Sequence, residues 1–320
     1  MTRLGLLGTG RHGVRYAQHL RAGDIEGAEL RAIGRRDHEA GRALAGEWGV
    51  AYCESAAEMA ARDDVDALLV VSQSHHHLDA VRAAANHRKP ALIEKPLAMT
   101  VRECDEIAAL VRDAKIPAMV AQTTRYEGPV AGLLAALPRI GAVRQISFVL
   151  TSEDRTHDEA GSFAPRLDDG GAILDSGVHY FDLLGLLVDP VAWVSASPLH
   201  VRGTHLDDGY SAVLETRAGV RVTINMGRWG KSRHEFVEVA GDEGILHLSR
   251  TPPSLALIEG RARVELPFPE VPGTIVPTLE DFVRVARGEI ESPIPIEAGR
   301  EAVRIAEACC QSGGRRIDLE

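Results

Sequence analysis

Over roughly the first 120 residues, apolar positions recur alternately with strand and helix periods, which predicts the two element types in succession. Leu4–Leu7 is a short apolar strand, and HGVRYAQHLRAG behind it has the three-and-four spacing of a helix. The exchange repeats with AELRAIG as strand, DHEAGRALAGEWG as helix, VAYC as strand and SAAEMAAR as helix. VDALLVVS is a nearly continuous apolar run, the mark of a strand buried on both faces. HHLDAVRAAANHR, ALIEK, TVRECDEIAALVRDAK and PAMVAQT continue the series. Strands joined in turn by helices lie parallel, and right-handed crossovers wind them into a doubly wound sheet.

Past Thr123 the pattern changes. A helix, GPVAGLLAAL, leads to a strand, RQISFVLTS, and then to a polar loop, EDRTHDEAGSFAPRLDDGG. AILDSGVHYFDLLGLL reads as a helix with a dense polar set. From Val191 to about Leu266, alternation with period two predicts consecutive strands, with RAG as a hairpin turn inside YSAVLETRAGVRVTINMG. TLEDFVRVARG and EAGREAVRIAEACCQSG close the chain as helices. The fold class is therefore α/β. A doubly wound parallel sheet is expected over residues 1–121, and an α+β domain with a mostly antiparallel open sheet over 122–320.

Composition narrows the function. The 320 residues suffice for two cores, and with only 4% aromatics those cores rest on Ala, Val, Leu and Ile. A net charge of −10 argues against a nucleic-acid partner, which needs a basic face. No apolar run reaches membrane-spanning length, and the opening LGLLG enters a glycine turn without a cleavage site, so a cytoplasmic protein with no membrane partner is expected. Cys53, Cys104, Cys309 and Cys310 lack metal spacing, and adjacent Cys309 and Cys310 suit neither zinc nor an ordinary disulfide. Reduced thiols are the expectation. His75, His76 and His77 are consecutive at a strand-to-helix junction and point in different directions, so no metal is expected there.

Gly8, Gly10 and Gly13 form GxGxxG between the first strand and the first helix, the context in which this motif signals a Rossmann dinucleotide site. The first glycine permits the tight turn, the second lets a pyrophosphate approach the backbone, and the third lets helix and strand pack closely. The phosphates then lie at the positive end of the helix dipole. Arg11 and His12 stand inside this turn. In ALIEKPLA, Glu94 and Lys95 end a buried strand, facing the crevice where such sheets bind ligands. Asp175, His179 and Asp182 are spaced by four and three, so Asp175 and His179 share one helix face.

GTGRHG, EKP and DSGVHYFD, in this order and at these separations, resemble the Gfo/Idh/MocA family of sugar and cyclitol dehydrogenases. VSQSHHH resembles that family's Thr-Pro-Asn-x-x-His segment, and IEAGREAVRIAEACCQSGGRR its C-terminal helix, so the resemblance spans essentially the whole chain. It implies a catalytic lysine, aspartate and histidine at Lys95, Asp175 and His179. His179 would take the hydroxyl proton as hydride leaves the same carbon, Lys95 would stabilise the developing oxygen charge, and Asp175 would orient the substrate or histidine. It also implies that Ser72, His77 and Glu94 lie near the cofactor, and that the Lys95–Pro96 bond is cis. A homodimer or homotetramer formed through the open sheet is implied too.

Gln73 and Ser74 stand where the family usually has Pro and Asn, and Pro165-Arg166 departs from its usual Trp-Arg, so no particular member's substrate is transferred. Arg125, Tyr126, Arg166 and Asp168 are candidates for binding hydroxyls of a small polyhydroxylated substrate, the arginines also suiting a sugar acid. Two alternatives remain at this level: a glycoside hydrolase using NAD on the same scaffold, and a dinucleotide-binding regulator without catalysis. The segment AIGRRD ends the second strand, and family members that use NAD commonly have an acid where Arg35 stands. Arginine attracts a 2′-phosphate and grips it bidentately, so Arg35 and Arg36 favour NADP over NAD. The competing reading has both arginines solvated and Asp37 on the ribose.

Overall fold

The computed structural model describes residues 1–153, 170–201 and 206–319. The chain forms two compact units, one of Met1–Thr123 with Gly273–Val303, the other of Thr124–Pro272 with Arg304–Glu320. A single cut near residue 121 therefore describes only the first crossing, since residues 273–303 pack with the first unit.

The first unit is built on six parallel strands: β1 (Thr2–Leu7), β2 (Ala28–Gly34), β3 (Ala51–Cys53), β4 (Ala67–Val70), β5 (Ala91–Glu94) and β6 (Ala118–Ala121). Their order, β3-β2-β1-β4-β5-β6, reverses direction between β1 and β4. Helices α1 (Arg11–Ala22), α2 (His38–Trp48), α3 (Ala56–Ala61), α4 (His77–Asn86) and α5 (Val101–Ala114) connect them in turn. All four side chains of β4 are buried, as its unbroken apolar run requires. Thr100 and Glu103 close a capping box at the start of α5.

The second unit opens with α6 (Gly128–Ala136), and its nine-stranded sheet starts at β7 (Val143–Glu153). A helical stretch ending in α7 (Val178–Leu187) follows, then β8 (Val191–Leu199), β9 (Gly209–Thr216), β10 (Arg221–Gly230), β11 (His234–Gly241), β12 (Ile245–Arg250), β13 (Pro253–Glu259) and β14 (Ala262–Glu265). The final strand, β15 (Ile317–Asp318), pairs with β8. The order is β14-β13-β12-β11-β7-β10-β9-β8-β15, antiparallel except where β7 and β10 run parallel. Strict alternation buries Val222, Ile224 and Met226 on one face of β10 and leaves Arg221 and Asn225 exposed on the other. Each fully buried aliphatic side chain of this kind contributes about 1.5–3 kcal/mol. Helix α8 (Ile275–Ala286) packs on α1 and β6 of the first unit, and the boundary at 303/304 falls inside α9 (Ile296–Ser312).

The stretch predicted as one helix from Ala172 differs in its first part. Ile173–Gly177 is a π-helical turn, and regular α-helix begins only at Val178. Such single wide turns concentrate at functional sites, and this one contains Asp175.

Candidate active site

In the first unit, the glycine turn follows β1 at the point where strand order reverses. Gly8 has φ +97°, and a Cβ there would stand 2.5 Å from the Val71 carbonyl oxygen. A Cβ on Gly13 would lie 1.8 Å from the Gly8 carbonyl oxygen. The protein's own packing thus demands both glycines. At Gly10 an added Cβ meets no heavy atom within 4 Å, so this glycine borders open space. Helix α1 starts there with no side-chain cap and no acid in its first turn. Thr9 Oγ1, Ser72 Oγ and Gln73 Nε2, from the segments following β1 and β4, are buried without hydrogen-bond partners among the described residues. Unpaired buried polar atoms cost about 1–3 kcal/mol each, which a polar ligand can offset. An open second glycine, an uncapped helix start and unpaired polar atoms together fit a dinucleotide.

Glu94 ends β5 and is 6% exposed. Its Oε1 accepts from Tyr16 Oη at 2.6 Å and pairs with His12 Nε2 at 2.8 Å, while Oε2 accepts from the Lys95 amide at 3.0 Å. Burial acts to raise the carboxyl's pKa, but bonds from His12 and Tyr16 and the Lys95 charge outweigh it and hold it below its ordinary value. Tyr16 escaped sequence reading, although it lies four residues after His12, one helix turn along the same face. The Lys95–Pro96 peptide is cis, as the resemblance implied.

His77 is fully buried, with Nδ1 3.2 Å from the Leu97 carbonyl and Nε2 3.0 Å from that of Ser72. Burial pushes its pKa down. It braces the segment after β4 against the segment after β5. Beyond β2, Arg35 Nη1 donates to the Thr9 carbonyl at 3.1 Å and Arg36 Nη1 to Gln73 Oε1 at 3.3 Å. Asp37 is the N-cap of α2, accepting from the Ala40 amide at 3.0 Å.

In the second unit, polar groups gather along the helix from Ile173 to Leu187. Thr124 Oγ1 lies 3.1 Å from His179 Nδ1, and His179 is half-buried. Arg125 grips Asp182 bidentately, Nε to Oδ2 at 2.8 Å and Nη2 to Oδ1 at 2.6 Å. Burial raises the Asp182 carboxyl above its ordinary pKa despite this pairing. Asp175 Oδ2 accepts from Arg228 Nη1 at 2.6 Å. Buried Glu235 accepts from Tyr180 Oη at 2.7 Å and pairs with Arg250, which also holds Glu127. Asp207 anchors the helix start, accepting from the Ile173 amide at 2.8 Å.

Sequence pattern gives no sign of Thr124, Asp207 or Arg228, which reach the helix from distant segments. Tyr126 follows Arg125 in a short 3₁₀ turn. Arg166 and Asp168 lie outside the described residues. Among the described residues, no group of three or more His, Cys, Asp or Glu could hold a metal, and no helix is long and apolar enough to cross a membrane.

The first unit is thus a Rossmann sheet whose glycine turn fits a dinucleotide, and the second an open mixed sheet with Asp175 and His179 on one helical stretch. Residues 2–122 match the oxidoreductase family with the NAD-binding Rossmann fold, and residues 134–247 match the GFO/IDH/MocA C-terminal domain. The chain belongs to the Gfo/Idh/MocA family. It is 28% identical to an inositol 2-dehydrogenase of Rhizobium meliloti over 322 residues, covering 93% of this chain and 90% of that protein. It is also 28% identical to an inositol 2-dehydrogenase of Gluconacetobacter diazotrophicus, over 70% of this chain and 66% of the relative. A levoglucosan dehydrogenase solved with NADH and levoglucosan has the same fold, with TM-score 0.86, 20% identity, and 99% of both chains covered.

Proposed function

We propose that this protein oxidises a secondary hydroxyl of a sugar, sugar derivative or cyclitol, with NADP preferred over NAD. Bound nicotinamide supplies the hydride acceptor. His179 takes the hydroxyl proton, Lys95 donates a hydrogen bond to the substrate oxygen as negative charge develops there, and Asp175 orients the substrate. When Nδ1 of His179 donates to the Thr124 hydroxyl, Nε2 is the basic nitrogen and can accept the proton.

The observation that carries this reading is the contrast between two histidines. His77 is fully buried between backbone carbonyls, as a structural histidine is. His179 is half-buried, with Nδ1 3.1 Å from the Thr124 hydroxyl, on the same helical stretch as Asp175. Tyr126, Arg166 and Asp168 are assigned to substrate hydroxyls. Arg125 is assigned to the substrate with them, and its two donors on Asp182 also fix α7. The relatives' names, inositol and levoglucosan dehydrogenases, support a polyhydroxylated substrate.

NADP is supported by the two guanidiniums directly after β2 and by the engagement of Asp37 in capping α2. Gly8, Gly10, Arg11, His12, Gly13, Ser72 and Glu94 complete the proposed cofactor site in the first unit. The second unit is proposed to bind substrate and to form the homo-oligomer.

A panel of monosaccharides, sugar acids and inositols, run separately with NAD and NADP, tests substrate class and cofactor together. Equal or higher kcat/KM with NAD would overturn the preference. Lys95→Ala and His179→Ala are each expected to abolish turnover while leaving cofactor binding largely intact. Near-wild-type activity in either variant would overturn the catalytic assignment.

A further inference from the structure

We propose that Arg228 is a positioning residue that fixes the carboxylate of Asp175 for substrate recognition. The inference rests on the reading that Asp175 contacts the substrate, and assigns a role to a residue no motif marks. Alternation along β10 sends Val222, Ile224 and Met226 to the buried face, and Arg228 continues that parity. Pairing of β10 with β7 shifts register between Gly227 and Gly230, a bulge-like irregularity of the sort that re-aims side chains beside active sites.

The guanidinium so delivered donates from Nη1 to Asp175 Oδ2 at 2.6 Å, and the same nitrogen lies 3.5 Å from Ser176 Oγ. Both ends of this contact are tied to one short segment. The Arg228 amide donates to the Asp208 carbonyl at 2.9 Å, while the Asp207 carbonyl and carboxylate accept from the Ala172 and Ile173 amides at 3.0 and 2.8 Å. The ring of contacts runs from β10 through residues 207–208 to the π-helical turn and back through Arg228 to Asp175.

A carboxylate on a half-exposed helix face has several rotamers, and a charge-assisted bond selects one. The π-helical turn makes such a selection necessary, because its wider backbone departs from the α-helical spacing that otherwise aligns residues four apart. Arg228 Nε is buried with no partner among the described residues, so the bond to Asp175 is a main compensation for burying this head group.

A double-mutant cycle in kcat/KM tests the proposal, with Arg228→Met, Asp175→Asn and both together. The substrate is whichever of myo-inositol, D-glucose, D-xylose and D-gluconate the wild type turns over fastest. Arg228→Met is expected to lower kcat/KM about 10- to 100-fold, mainly through KM, and to leave NADPH affinity by nicotinamide fluorescence unchanged. In the Asp175→Asn background the same substitution should change little, and Arg228→Lys should recover part of the loss. Equal factors in both backgrounds would overturn the proposal, as would a loss confined to melting temperature. Should Arg228→Met fail to fold, Arg228→Lys and Arg228→Gln complete the cycle. Full activity in Asp175→Asn alone, or no turnover of any panel member by wild type, would instead defeat the proposed function.

Discussion

Thr124 and His179, 55 positions apart in sequence, meet through Oγ1 and Nδ1 at 3.1 Å. Thr124, Arg125 and Glu127 lie in one short stretch, and their side chains bond to His179, Asp182 and Arg250 respectively. Thr124→Val keeps the shape and removes the hydroxyl that bonds Nδ1 of the imidazole. A fall in kcat of about tenfold is expected, less than the roughly 10²–10⁴-fold of losing the general base itself, with cofactor affinity unchanged. Thr124→Ser should retain most of the rate. Steady-state kinetics checks this, and equal losses in the two variants would count against a role for the hydroxyl.

The glycines of the turn should separate by phenotype. Gly13→Ala forces a Cβ against the Gly8 carbonyl and is expected to cost about 1–3 kcal/mol or more in urea unfolding. Gly10→Ala meets no protein atom and should leave stability nearly unchanged, yet weaken NADPH binding at least about tenfold by titration. A Gly10→Ala protein that binds NADPH normally would show that no ligand uses the open space.

Arg35→Ala with Arg36→Ala should weaken NADPH about 10- to 100-fold and NADH much less, since bidentate arginine–phosphate bonds are lost only for the first. Fluorescence titration of both cofactors decides it. A parallel loss for NADH would mean the arginines hold the turn itself, through Thr9 and Gln73, rather than a 2′-phosphate.

Stability should depend on pH through Glu94. Its native pKa lies below the ordinary 4.5, so its contribution is complete above 4.5, where both native and unfolded forms are ionised. As pH falls below 4.5 the unfolded chain takes up the proton first, and the contribution is lost as pH passes through the native value. Hydrogen bonds to a charged group contribute about 1.5–3 kcal/mol. Glu94→Gln should therefore lower the unfolding free energy most at pH 7, with the gap to wild type closing below pH 4.5. A gap independent of pH would remove the carboxylate's charge from the account.

The glycine turn was legible because each requirement is local: a strand before it, a helix after it, and glycines at fixed offsets. The Asp175–His179 pair was legible as a spacing, but the π-helical turn beneath it was not, since 3.6-residue periodicity was the only helix geometry the pattern could suggest. Arg125 was legible as a charged candidate, but not its partner Asp182, which lies 57 positions on and holds it bidentately.

The sequence by itself determined the succession of strands and helices, the parallel doubly wound sheet and the dinucleotide turn, because hydrophobic period and backbone freedom are encoded within a few residues. Tertiary structure alone decided that β7 lies parallel to β10, that residues 273–303 return to the first unit, and that Arg228 reaches Asp175 across 53 positions. Those are choices among partners far apart in the chain. They follow from the path that buries the most apolar surface while pairing every buried charge it can, and no local pattern records that path.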